Sequence, residues 1–68
     1  MDIKILVGKR VKELRNNLGI SQEELSYLAE LDRTYITSVE RGKRNISIVN
    51  IQKLATALKV NLKEFFDF

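Results

Sequence analysis

The sequence predicts an all-α fold, a compact bundle of five helices in a single domain over residues 1–68. Three observations predict it. Apolar residues recur at spacings of three and four, capping side chains precede those runs, and no segment alternates with period two over a strand's length. The chain has no proline and only three glycines, at 8, 19 and 42, which read as punctuation between elements.

The first helix carries apolar residues at Ile3, Val7, Val11, Leu14 and Leu18 and ends at Gly19. Ile5 and Leu6 either extend it or join an interface. Ser21-Gln22-Glu23-Glu24 reads as a capping box, in which the Ser21 hydroxyl caps a short helix and Glu24 reaches back to the Ser21 amide. That second helix spans about 22–29, with Leu25, Leu28 and Ala29 as its inner face. Asp32 caps a third helix over about 33–41, and Gly42 is placed to end it in a left-handed conformation. A loop follows, and Ser47 opens a fourth helix with the stripe Ile51, Leu54, Ala55 and Leu58. Asn61-Leu62-Lys63-Glu64 is a further capping pattern and starts a last turn through Phe65 and Phe66.

Composition removes several function classes. The chain holds no histidine and no cysteine, which takes away the usual general base, the usual zinc ligand and any disulfide. A core this small leaves little room for a cleft, so an enzyme is not expected, and neither is a metal, a cofactor or a small-molecule ligand. No apolar run reaches the length of a membrane span. An amphipathic anchor over residues 3–14 is disfavoured by Gly8 and by a short apolar face.

Charge is distributed in blocks. Residues 1–20 sum to +3, from Lys4, Lys9, Arg10, Lys12 and Arg15 against Asp2 and Glu13. Residues 21–32 sum to −4, from Glu23, Glu24, Glu30 and Asp32. Residues 33–47 return to +3, from Arg33, Arg41, Lys43 and Arg44 against Glu40. Two separated basic segments are compatible with a mixed soluble surface and with the footprint of a nucleic-acid binder.

The third helix separates those readings. At about 100° per residue, Ile36 and Val39 mark its buried side. Arg33, Thr37, Arg41, Thr34 and Ser38 fill an arc of about 140° on the other side. That arc has two arginines, three hydroxyls and no carboxylate, whereas an ordinary solvated face mixes opposite charges. Arginine forks and short hydroxyls suit guanine edges, thymine methyls and phosphates in a major groove. The helices over 22–29 and 33–41 are joined by Glu30-Leu31-Asp32, the spacing of a helix-turn-helix. Gln22, at the N-terminal end of the first of them, is placed near a phosphate.

These residues carry a resemblance. Val7-Gly8-Lys9-Arg10 through Arg15, then Ser21-Gln22-Glu23-Glu24-Leu25, Ile36 and Glu40-Arg41-Gly42-Lys43, resemble the phage-repressor and Cro-type helix-turn-helix family from residue 7 to about 66. Leu31-Asp32-Arg33-Thr34-Tyr35-Ile36 and Arg44-Asn45-Ile46-Ser47-Ile48 are similar, more narrowly, to controller proteins of restriction–modification systems. The resemblance implies a lambda-repressor-like DNA-binding domain acting as a dimeric transcription regulator on a pseudo-palindromic operator. For a controller protein, the regulated genes are its own and that of the endonuclease. It implies that Arg33 and Thr34 read base edges and that Tyr35, Thr37 and Ser38 lie at the groove. Gln22, Arg41, Lys43, Arg44, Asn45, Ser47 and Asn50 position phosphates or groove edges, and Arg15 forms a structural ion pair with Glu40. Two positions depart from the family pattern. Glu30 stands where glycine is usual, and a left-handed conformation there costs about 1–2 kcal/mol. Ser26 replaces a small apolar residue, so its hydroxyl needs an acceptor.

Leu62, Phe65, Phe66 and Phe68 put three of the five aromatic residues into the last four positions, more than one short terminal helix can hide. At least one of them closes the core of the five-helix domain, and the expectation is a homodimer through this region. The expected partners are therefore double-stranded DNA, a second copy of the chain and RNA polymerase, in a prokaryotic cytoplasm at the nucleoid. The alternatives are another small phage-type repressor and a helical antitoxin or adaptor whose partner is a protein.

Overall fold

Each of the five helices starts at a short polar side chain that accepts from the backbone of its first turn. In the computed structural model, which describes residues 2–68, Asp2 opens α1 (Ile3–Leu18) and Ser21 opens α2 (Gln22–Ala29). Asp32 opens α3 (Arg33–Glu40), Ser47 opens α4 (Ile48–Ala57) and Asn61 opens α5 (Leu62–Phe65). Arg41, expected as the last residue of the third helix, is its C-cap. Gly19 and Gly42 take φ of 70° and 74°, the left-handed conformation that lets a chain leave a helix without a Cβ clash. Two non-glycine residues do the same, Glu30 at 56° and Lys59 at 63°.

The helices enclose one core of Val7, Val11, Leu14, Leu25, Ala29, Ile36, Val39, Leu54, Ala55, Ala57, Leu58 and Phe65. α3 is wedged between α1 and α2, while α4 closes the far side of α2 and carries α5. No helix among the described residues is long and apolar enough to cross a membrane.

Several expectations need correction. Gly8 does not punctuate: it lies inside α1 and is buried at the crossing with α3, where a Cβ would collide with the Val39 carbonyl. The ends of the α1 stripe, Ile3 and Leu18, and Leu28 of the α2 inner face are exposed. Each overhangs the point where its helix leaves the core. At Ser21 half of the capping box forms, the Glu24 amide donating to Ser21 Oγ at 3.0 Å. The reciprocal box forms instead between Asn61 and Glu64.

Phe65, expected among the interface aromatics, is placed differently. It is 0% exposed and fills the core beneath α4. With Val60 just before the Asn61 cap, Phe65 occupies the far position of a hydrophobic staple, which fixes how the chain enters α5. Arg10 locks that end of the molecule by donating from Nε to the Phe65 carbonyl at 3.1 Å. Leu62, Phe66 and Phe68 are left as the exposed apolar residues of the C-terminus.

Candidate nucleic-acid interface

The turn between α2 and α3 decides where the outward face of α3 points. Glu30 adopts the left-handed conformation that its position demands, and the Leu31 amide donates back to the Ser26 carbonyl at 3.0 Å. Ser26 finds its acceptor locally, donating to the Glu23 carbonyl at 2.6 Å. Leu31 then packs on the core, and Asp32 Oδ1 accepts from the Thr34 amide at 2.9 Å to start α3. The Thr34 backbone bond and then its hydroxyl bond hold the Asp32 carboxyl below its usual pKa.

From the crossing side, α3 is held by charge. Arg15 donates from Nε to Glu40 Oε2 at 2.7 Å and from Nη2 to Oε1 at 3.0 Å, a bidentate pair, and from Nη1 to the Ile20 carbonyl at 2.9 Å. The side chains are 12% and 4% exposed, so solvent does little to screen the pair. Hydrogen bonding to Glu40 raises the Arg15 pKa above its ordinary value. Gln22 joins from α2, its Nε2 donating to Glu40 Oε1 at 3.1 Å while its Oε1 accepts from Thr37 Oγ1 at 2.9 Å. Four residues on three helices thus form one polar chain that ends at the outward face of α3.

On that face Arg33, Thr34 and Arg41 are exposed, and Thr37 and Ser38 are half-buried. Tyr35 leans back onto the core. Its hydroxyl accepts from Asn50 Nδ2 at 3.2 Å, and the Arg44 guanidinium sits 5.0 Å from its ring centroid. Asn50 therefore ties α4 to α3 in this structure. Lys43, Arg44, Asn45 and Ser47 lie exposed between α3 and α4. Ser47 Oγ accepts from the Asn50 amide at 3.1 Å, which leaves its proton free to donate outward.

Sequence reasoning missed three of these relationships: the Gln22 bridge, the Arg44–Tyr35 stack, and Gly8 as a point of close approach between α1 and α3. Only the last had a signal, a glycine inside an otherwise continuous helical stripe.

A helix-turn-helix family matches residues 11–65. The chain is 46% identical to the control protein C.MunI of a Mycoplasma species, over 96% of this chain and 89% of that one. Among solved structures it is similar to the restriction–modification controller protein C.AhdI from Aeromonas hydrophila. There the TM-score is 0.92 at 50% identity, covering 97% of this chain and 100% of the other. It is similar also to the controller protein C.Esp1396I, solved as a tetramer in complex with its natural 35 base-pair operator. That match has a TM-score of 0.92 at 34% identity and covers 98% of this chain and 88% of the other.

Proposed function

The chain belongs to the helix-turn-helix family and, within it, to the restriction–modification controller proteins, and from that premise we propose how its residues divide the work on DNA. It is a transcription regulator that binds double-stranded operator DNA sequence-specifically as a dimer. α3 enters the major groove, and α2 crosses the backbone above it. Arg33 and Thr34 read base edges, with Thr37 and Ser38 alongside. Arg41, Lys43, Arg44, Asn45, Ser47 and Asn50 hold phosphates or groove edges, Gln22 flanks them at the start of α2, and Tyr35 lies at the groove. Leu62, Phe66 and Phe68 belong to the self-association surface. The regulated genes are its own and that of the endonuclease, and RNA polymerase is the protein met at the promoter. The reading places the chain in a prokaryotic cytoplasm and gives it no catalytic step.

One observation carries this reading: the outward face of α3 presents Arg33, Thr34, Thr37, Ser38 and Arg41 with no carboxylate among them. The acidic residues nearby are spent elsewhere, Glu40 on Arg15 and Asp32 on its cap. A helical adaptor has no use for such a face. Fluorescence anisotropy with random duplex DNA should show weak binding that is lost as salt rises. Selection from randomised duplexes should then return an approximate palindrome. No binding to any duplex at low salt would leave the protein-interaction reading in possession.

A further inference from the structure

We propose that Thr34 and Thr37 meet DNA as hydrogen-bond acceptors only, so that each selects an adenine or cytosine amino group on the strand it faces. The inference rests on the DNA-binding reading above and deepens it to base chemistry.

A threonine hydroxyl has one proton and two lone pairs, and where the proton goes decides what the side chain recognises. Thr37 Oγ1 lies 2.9 Å from Gln22 Oε1 and 3.1 Å from the Arg33 carbonyl. Both are acceptors, so the proton is committed to one of them. The direction of the Gln22 amide follows from its other contact. The amide atom 3.1 Å from Glu40 faces a carboxylate already gripped by the Arg15 guanidinium, and such an oxygen only accepts. That atom must be the amide nitrogen, which turns the amide oxygen toward Thr37. Charge on Arg15 thus sets, through Glu40 and Gln22, the orientation of a hydroxyl on the recognition face.

Thr34 reaches the same state by a separate route. Its Oγ1 lies 2.9 Å from Asp32 Oδ1, the carboxylate oxygen that also accepts from its amide. Swinging the Thr37 hydroxyl outward as a donor leaves the half-buried Gln22 oxygen without its proton, whereas at the exposed Thr34 the proton is held by the charge of the Asp32 carboxylate. Lone pairs and methyl groups therefore face the groove. There the donors are adenine N6 and cytosine N4, while guanine N7 and O6 and thymine O4 present lone pairs of their own. Arg33 supplies donors alone. The face is coded by polarity, with a donor fork at its first position and acceptors at the second and fifth.

The test is a cycle of protein and base variants on the duplex selected from a randomised pool. The base pair facing Thr37 is the one whose preference relaxes when the selection is repeated with Thr37→Val. At that pair the amino group of the preferred base is replaced by hydrogen, using deoxynebularine for adenine or the pyrimidinone nucleoside for cytosine. The parent and Thr37→Ser should lose about five- to tenfold in affinity per half-site. Thr37→Val, which already lacks the acceptor, should lose nothing further. Thr34→Val repeats the cycle at an exposed position and keeps the test intact if Thr37→Val does not fold. Each base pair carries one such amino group in the major groove, and an equal loss in parent and valine variants when it is removed overturns the proposal. Failure to enrich any duplex would instead overturn the DNA-binding reading, and this inference with it.

Discussion

The guanidinium of Arg15 and the carboxylate of Glu40, 25 positions apart in sequence, meet in a bidentate pair at 2.7 and 3.0 Å across the contact of α1 with α3. Removing one partner strands the other where solvent reaches little of it, at a cost of about 3–5 kcal/mol. A chain of this length has roughly 3–10 kcal/mol of stability in all. Arg15→Ala and Glu40→Ala should each lower the urea midpoint severely without DNA present. Two melts that overlay the parent would show that the pair contributes nothing.

Gly8 tests the same crossing by shape. A Cβ there meets the Val39 carbonyl, and lies 3.2 Å from the Glu40 carbonyl and from the Gly42 amide nitrogen, all backbone atoms that cannot rotate away. Alanine should gain about 1 kcal/mol of helix propensity and lose about 1–3 kcal/mol to overpacking. The expected outcome is a lower melting midpoint for Gly8→Ala, against propensity. A raised midpoint would mean that α1 and α3 separate freely.

Glu30 carries the opposite sign. Its φ of 56° costs a residue with a Cβ about 1–2 kcal/mol, part of which glycine returns through the entropy of its unfolded chain. Glu30→Gly should therefore raise the midpoint modestly, by about 0.5–1 kcal/mol. Thermal and urea melts at one protein concentration check it, because a dimer's midpoint depends on concentration.

What the sequence disclosed and what it hid follow from the range of the forces involved. Caps and stripes act within a few residues, so the five helices and the arc from Arg33 to Arg41 could be read directly. Burial depends on the neighbours a residue meets. Leu28 and Leu18 carry core-like side chains but overhang the core, while Phe65, expected at the self-association interface, closes it. The Gln22–Glu40 bond joins positions 18 apart through an amide that has many possible partners, and nothing local marks it. The Arg15–Glu40 pair was suggested by Glu40 bordering the apolar side of its helix, as well as by the family resemblance.

Self-association has its own test. With Phe65 inside the core, Phe66 and Phe68, 43% and 54% exposed, are the C-terminal aromatics left to meet a second copy. Phe66→Asp should yield a folded monomer in sedimentation at micromolar concentration. Phe65→Asp should unfold the chain instead, by burying a carboxylate without a partner. A Phe66→Asp chain that still sediments as a dimer would place the interface elsewhere.

The last prediction separates base reading from phosphate holding. Arg33 is the first residue of α3, where the N-terminal end of a recognition helix faces base edges and an arginine fork can grip guanine with two bonds. Lys43 lies exposed beyond Gly42, where a flexible ammonium reaches a phosphate and is poorly shaped to tell bases apart. Arg33→Ala should cost about 1–3 kcal/mol per half-site on the selected operator and much less on scrambled duplex. Specificity, the ratio of the two affinities, should then collapse. Lys43→Ala should weaken both duplexes by similar factors and flatten the log–log salt slope by about 1 for each contact removed. Four titrations at several salt concentrations, each variant on each duplex, distinguish the roles. If Arg33→Ala weakens both duplexes equally while Lys43→Ala changes base preference, the two assignments are reversed, and the loop rather than α3 carries the sequence information.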